Sequence, residues 1–347
     1  MKVIFLGGVG NISEFGGELT KNKEIIRRLE EYGCDIVVLD SYNCSRNYMK
    51  LFFLVVRFFW NVLIHPKACF LFSTSFSNIY SFIKILHYYP ITLNIVYWVI
   101  GGSLVERIQA GEFSLKYLKC ISTFIVEGKK MKVGMEELGL KNVIQLPNFK
   151  TIDTFTFSPK ANDSMRFVFL SRIMPEKGCQ YIIDAVRLLN KKYQSEEFEV
   201  DFYGVVDSLY KDEFLNACRE ISNIRYCGSL NLRDKRNYEV LSSYHYMLFP
   251  TYWYGEGFPG VVIDAYMSGL PIIASDWNIN EEFIHDGETG YIIPAHSVNA
   301  LFEVMDWVMT DKSNYDKVVA NCISEAKKYD TINVIDSVFI ETVLCVK

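Results

Sequence analysis

Twice along this chain, apolar runs rich in β-branched and aromatic residues alternate with stretches of helical periodicity, and the alternation stops once, across the polar stretch 150–165. That pattern predicts parallel strands joined by helical crossovers. A parallel pair needs a long connection, and strands covered on both faces read as continuous apolar runs. The first series opens with KVIFLGG (2–8), a helical KNKEIIRRLEEYG (21–33) stopped by Gly33, and CDIVVLD (34–40). It continues through ITLNIVYWVI (91–100), TFIVEG (123–128) and NVIQLPN (142–148). The second series places strands at RFVFLSR (166–172), FEVDFYG (198–204), NIRYCGS (223–229), YMLFPT (246–251) and LPIIASD (270–276), with helices over 179–193, 209–221, 237–244, 261–268 and 298–309. A length of 347 residues suits two cores of this kind. We therefore expect an α/β protein of two Rossmann-like domains, 1–149 and 150–330, facing across a cleft where strand C-termini hold a ligand.

With 50% hydrophobic and 22% charged residues, the chain can bury enough apolar surface to offset its conformational entropy. Its net charge of -5 argues against nucleic acid as a partner. The nine cysteines are odd in number and form no CxxC pair, which reads as reduced thiols in a cytoplasmic protein. The five histidines show no HExxH spacing and no DxD occurs, so no metal site is expected. MKVIFLGGVG is too short in apolar residues for a signal peptide and reads as a buried strand. The uncharged run 85–105 has the length of a membrane span, but His87, Pro90, Asn94, Gly101 and Gly102 interrupt it.

Charge is distributed unevenly. Between Asp40 and Glu106 no acidic residue occurs, while Arg46, Lys50, Arg57, Lys67 and Lys84 make that stretch +5 and leave the rest at -10. It contains LFFLVVRFFWNVLIH (51–65), which mixes aromatics with cations as interfacial helices do, and which also suits a buried helix of an α/β core. The first reading gives residues 41–105 a peripheral contact with an anionic membrane.

The chemistry concentrates in the second series. SRIMPEKG sets Arg172 at a strand end and Lys177 just before a helix opening near Gly178, an arrangement suited to a diphosphate. GEGFPGVVIDAYMSGLPIIASD (255–276) puts Glu256 in a glycine-rich loop and Asp264 eight positions on, inside the following helix. Gly257 and Gly260 allow close backbone approach, and the amides of Gly260, Val261 and Val262 lie at a helix start. A carboxylate at Asp264 can meet ribose hydroxyls, and one at Glu256 a sugar hydroxyl.

These segments resemble the retaining GT-B glycosyltransferases of family 4 (glycosyl transferases group 1), which act in capsule, lipopolysaccharide and other surface-polysaccharide assembly. The E-x7-E signature reads here as E-x7-D, from Glu256 to Asp264, which keeps the charge and shortens the second side chain by one methylene. RIMPEKG is similar to the family's R-x4-K clamp, PNF (147–149) to its interdomain linker and EFIHDGETGYIIP (282–294) to its closing loop and strand.

The resemblance implies a first domain for the acceptor, a second for a nucleotide-diphosphate sugar donor, and a C-terminal helix in 331–347 packing back on the first domain. It gives Arg172 and Lys177 to the leaving diphosphate, Glu256 to the donor sugar and Asp264 to the ribose. Phe258, Pro259, Gly260 and Val261 then line sugar and phosphate, Gly204 and Cys227 flank the base, and Gly16 and Gly17 approach the phosphates. A histidine that many relatives carry after the strand ending near Ile100 is absent, and Gly101, Gly102 and Ser103 stand in its place. The implied reaction is retaining and metal-independent, with no cofactor. The departing phosphate helps to deprotonate the acceptor, and the two cations stabilise the developing charge. The acceptor is lipid-linked or an oligosaccharide, the location cytoplasmic and peripheral at the inner face of the plasma membrane, and the stretch 148–165 a hinge for closure.

Three rival readings remain at this stage. GGVGNIS with Asp40 approximates a dinucleotide-binding turn, but lacks the third glycine and the right spacing to the acid. An epimerase or phosphorylase could share the scaffold. A non-catalytic nucleotide-sugar-binding or scaffold paralogue would accommodate both Asp264 and the missing histidine.

Overall fold

The structure, a computed structural model, describes residues 2–11, 16–152, 157, 160 and 164–344. It divides into two compact units, Met1–Thr151 with Tyr329–Lys347, and Ile152–Lys328. Much of the expected hinge stretch, and Glu14 and Phe15 of EFGGELTK, lie outside the described residues.

Unit 1 runs β1(Lys2–Gly7), α1(Gly17–Glu31), β2(Asp35–Asp40), α2(Tyr48–Ile64), β3(Cys69–Thr74), α3(Phe76–Leu86), β4(Asn94–Val99), α4(Leu104–Gln109), α5(Leu115–Leu118), β5(Thr123–Val126), α6(Lys129–Glu137) and β6(Val143–Gln145). Its six strands are parallel in the order β2-β1-β3-β4-β5-β6. Because side chains alternate along a strand, β1 feeds two cores. Val3 and Phe5 pack with Ile25 and Leu29 of α1, whereas Ile4 and Leu6 join Leu54 and Phe58 of α2 and Phe82 of α3.

The strand β3 is absent from the sequence expectation. All six of its residues are buried, and without a polar alternation it merges with the aromatic helix before it. The C-terminal segment is also not one helix. It forms α14(Thr331–Val334), α15(Ser337–Phe339) and a π-helical turn, Ile340–Leu344. Ile335, Phe339 and Ile340 lie in the same core as Val3 and Phe5, the Phe339 ring sits 5.7 Å from that of Trp98, and Arg28 Nε donates to the Ile335 carbonyl at 2.9 Å. Where the chain leaves unit 1 and re-enters it, Lys150 N–H donates to the Tyr329 carbonyl and Thr331 N–H to that of Lys150, each at 3.0 Å.

Unit 2 runs β7(Met165–Leu170), α7(Cys179–Leu189), β8(Phe198–Tyr203), α8(Lys211–Glu220), β9(Ile224–Tyr226), α9(Asn237–Ser242), β10(Tyr246–Phe249), α10(Gly260–Met267), β11(Ile272–Ser275), α11(Asn280–Phe283), β12(Gly290–Ile293), α12(Val298–Thr310) and α13(Tyr315–Ala326). Its strands are also parallel, in the order β12-β11-β10-β7-β8-β9. The runs expected as strands in this unit all form. No described helix is long and apolar enough to cross a membrane, and the eight described cysteines are free.

Candidate functional site

In unit 2 the strand order reverses between β7 and β10, so the loops leaving these neighbours diverge and open a crevice beyond their carboxyl ends. Arg172 follows β7, and Thr251 to Glu256 follow β10.

Two glycines set the geometry by letting backbones touch. Gly204, at φ 150°, lies so close to the end of β7 that a Cβ there would stand 1.8 Å from the Ser171 carbonyl oxygen. Gly178, at φ 81°, ends the 3-10 turn Pro175–Lys177, and a Cβ would stand 2.2 Å from the Pro250 carbonyl oxygen. Both positions favour glycine on conformation and on space. The first fixes the backbone at Arg172, whose side chain is exposed. The second docks the Lys177 turn onto the end of β10, where Tyr252 N–H donates to the Glu176 carbonyl at 2.8 Å.

Lys177 and Glu256, 79 residues apart, form a direct ion pair with side chains only 12% and 10% exposed. The Thr251 hydroxyl donates to the same carboxylate oxygen of Glu256 at 3.0 Å, and the Glu256 carbonyl accepts from Asn278 Nδ2. Ser275 in turn donates to the Thr251 carbonyl at 2.5 Å. Glu256 is thus held by three segments, at the ends of β7, β10 and β11. A largely buried cation next to a buried carboxylate, with an exposed arginine after the neighbouring strand, puts an anion-binding group beside an acceptor of hydroxyl protons.

Beyond Glu256, Phe258 is buried and its ring lies flat on that of Phe283, 3.7 Å between centroids. Pro259 occupies the N-cap position of α10, with Gly260 and Val261 as its first residues. Val262 departs from the expectation: its N–H donates to the Pro259 carbonyl at 3.0 Å, so it is not part of an open amide cluster. Asp264 is buried and accepts from the Tyr238 hydroxyl at 2.6 Å, a partner on α9 that the sequence does not flag. Cys227 follows β9 and is exposed, its N–H bonded to Phe202 O at 2.9 Å, while Gly204 N–H donates to Gly228 O at 2.8 Å. The expected base-flanking residues therefore share one strand-end cluster.

The remaining expected residues belong to unit 1. Gly16 and Gly17 open α1, and a Cβ on Gly17 would meet nothing within 4 Å, so packing does not demand glycine there. Gly101, Gly102 and Ser103 lie between β4 and α4, with Ser103 at the N-cap position and its hydroxyl not used for capping. Asn22 is another residue that sequence reading missed. Fully buried, it donates to Gly8 O at 2.8 Å and Ser73 O at 2.9 Å and accepts from the Ser73 hydroxyl at 2.6 Å, tying the turn after β1 to the end of β3. Its signal was available only as an Asn within a helix otherwise facing a core. Asp40 accepts from Val9 and Gly10 N–H at 2.8 and 3.2 Å, so it closes the first glycine turn rather than standing free for a ribose. Among the described residues, no group of three His, Cys, Asp or Glu could hold a metal ion.

A phosphatidyl-myo-inositol mannosyltransferase of Mycobacterium leprae is 24% identical over 233 residues, 66% of this chain and 60% of that protein. The GtfA subunit of a UDP-N-acetylglucosamine–peptide N-acetylglucosaminyltransferase of Streptococcus pneumoniae is 28% identical over 183 residues, 51% of this chain and 35% of that protein. The match thus spans less than two thirds of these relatives' own length. Anabaena HepE, solved in complex with UDP, superposes with a TM-score of 0.69 at 14% identity, covering 96% of this chain and 97% of that one, which is a likeness of fold. The profile of the family described as glycosyl transferases group 1 matches residues 150–329, just over half of the 347. With that match, and two parallel six-stranded sheets of GT-B type, the chain belongs to the glycosyl transferases group 1 family.

Proposed function

We propose that this protein is a retaining, metal-independent glycosyltransferase that moves a sugar from a nucleotide-diphosphate sugar to a hydroxyl of a glycan or lipid-linked acceptor in surface-polysaccharide assembly. The observation that carries the reading is the Lys177–Glu256 ion pair beside exposed Arg172 at the switch point of unit 2. On donor binding, Lys177 turns from Glu256 to the diphosphate and joins Arg172 there, and the freed Glu256 takes donor-sugar hydroxyls. Gly260 and Val261 offer N–H groups at the opening of α10, Asp264 the ribose contact, and the Gly204 and Cys227 strand ends the base contact. Gly16, Gly17, Gly101, Gly102 and Ser103 are the unit 1 loops assigned to donor phosphate and sugar.

In the transfer step the bond from the anomeric carbon to the phosphate oxygen breaks, with its electron pair going to the diphosphate. The acceptor oxygen bonds to the anomeric carbon on the same face, and the acceptor proton passes to the departing phosphate. Arg172 and Lys177 act by stabilising the charge gained by the leaving group, where preformed partners contribute most. The mannosyltransferase relative is named for a lipid acceptor and GtfA for a peptide, which supports a chain that glycosylates large acceptors.

We place the protein in the cytoplasm, peripheral at the inner face of the plasma membrane. The outer face of α2 exposes Phe52, Phe53, Val56 and Trp60 among the exposed cations Lys50 and Arg57, a composition that an anionic leaflet would cover. Calorimetric titration with UDP, GDP, ADP, CMP and NAD, with and without EDTA, tests the catalytic reading. One nucleoside diphosphate should bind regardless of EDTA and lose affinity in Arg172→Ala. Binding of NAD alone, or of nothing, refutes it.

A further inference from the structure

A nucleoside diphosphate carries its ribose between base and phosphates, so the groups that meet the ribose must stand between those that meet the other two. In unit 2 the base-flanking residues lie at the ends of β8 and β9, where Gly204 N–H donates to Gly228 O at 2.8 Å. The amides assigned to the phosphates open α10. Helix α9 follows the first cluster in the chain, and the bond from the Tyr238 hydroxyl to Asp264 Oδ1 joins α9 to α10.

Both partners of that bond are buried, and its 2.6 Å falls in the short range of a hydroxyl donating to a carboxylate. A phenol has one proton. Here it is committed to Asp264, so toward any further partner the Tyr238 oxygen is an acceptor. Donation to a carboxylate polarises that oxygen and strengthens it in this role. An ionised carboxylate also only accepts. The pair therefore matches two neighbouring donors, which is what the vicinal hydroxyls of a ribose present. The carboxylate of Asp264 is one methylene shorter than that of a glutamate, and the Tyr238 oxygen adds a second acceptor 2.6 Å from it.

The backbone holds both residues in place. Asn237 Nδ2 donates to the Asn231 carbonyl at 2.8 Å and Tyr238 N–H to that of Lys235 at 3.0 Å, tying α9 to the loop that leaves the base-flanking cluster. In α10 the Asp264 carbonyl accepts from Ser268 N–H at 3.1 Å and from the Ser268 hydroxyl at 2.8 Å.

We propose that Tyr238 and Asp264 form one acceptor pair for the two ribose hydroxyls, each taking one. Tyr238 is then a specificity-determining residue, which restricts the donor to ribonucleoside diphosphate sugars and rejects deoxythymidine diphosphate sugars. This rests on the transferase reading, in which Asp264 meets the ribose.

The test is calorimetric titration of the full-length protein with UDP, GDP and ADP, each beside its 2′-deoxy and 3′-deoxy forms, and with dTDP. One ribose form should bind, and each of its deoxy forms should bind about tenfold or more weaker, because a buried acceptor is left without its donor. Tyr238→Phe keeps the ring and removes only the hydroxyl. In that variant the ribose form should weaken by about tenfold, and the deoxy form lacking the hydroxyl that Tyr238 takes should bind as it does to the parent. Discrimination against that one form disappears, while discrimination against the other deoxy form remains. If the bond only ties α9 to α10, Tyr238→Phe should instead lower the melting midpoint and weaken ribose and deoxy forms alike, which would overturn the proposal. So would a parent that binds ribose and deoxy forms equally, or that prefers dTDP to every ribose form, and both results leave the transferase reading standing. Binding of no nucleotide removes that reading and the ribose pair with it.

Discussion

Removing the cation from the pair at the unit 2 site, by Lys177→Met, strands a carboxylate in a place built for two charges. Glu256 is 8% exposed overall and retains the Thr251 hydroxyl at 3.0 Å as a side-chain partner, a bond present before and after the change. The loss is therefore that of an ion-pair partner from a buried site, about 3–5 kcal/mol. For a folding unit of this size each kcal/mol shifts the midpoint by roughly 2–4 °C, so the transition of unit 2 should fall by about 6 °C or more. Glu256→Gln removes the charge while leaving an oxygen for Thr251, and in the double variant Lys177→Met/Glu256→Gln no buried charge remains at the pair. Most of the stability should return, with a coupling energy of about 2 kcal/mol or more. Urea unfolding followed by tryptophan fluorescence measures this, because Trp253 and Trp277 lie beside the pair and are bonded to each other, Trp277 Nε1 to Trp253 O at 2.9 Å. If the single changes add to within about 0.5 kcal/mol, the two groups are not coupled and the argument fails.

Three further expectations follow from the same geometry. Gly204→Ala should lower stability by about 1–3 kcal/mol and weaken nucleotide binding together, since a Cβ 1.8 Å from the Ser171 carbonyl must push apart the backbone that carries Arg172. A variant with unchanged melting contradicts this. Arg172→Ala should separate the two effects, with stability within about 0.5 kcal/mol of the parent because the side chain is exposed, and diphosphate affinity clearly reduced in calorimetry. Glu18 has a folded value raised above the ordinary 4.5 by burial, so the folded state holds that proton more tightly than the unfolded chain. Its contribution to stability therefore falls as pH rises from 4.5 through the folded value, and Glu18→Gln should melt higher than the parent at neutral pH, with the gain closing toward pH 4.5. Parallel melting curves across that range would remove the assignment.

Much of the architecture was legible because its signals are local. Strands such as KVIFLGG and YMLFPT are short apolar runs bounded by glycine or proline, and the RIMPEKG and GEGFPG segments each lie within one turn between a strand and a helix. The strand β3 escaped for the converse reason. Its buried run follows an equally apolar helix with only Pro66 and Lys67 to mark a boundary, so periodicity had nothing polar to count against. The C-terminal segment looked helical and breaks into short turns, because Ile335, Phe339 and Ile340 must each reach the core beside Val3 and Trp98.

By itself the sequence determined the period of each element, the two series of strands, and which residue types stand at strand ends. Tertiary structure alone decided what those residues meet. Lys177 finds Glu256 because β7 and β10 are neighbours in parallel register, Asp264 finds Tyr238 across two helices, and α2 acquires a core on one side and an uncovered apolar face on the other. Periodicity encodes how much of each side chain is buried, a local quantity. Which distant group fills the space beside it is set by strand order and register, and those depend on the free energy of the whole packed unit.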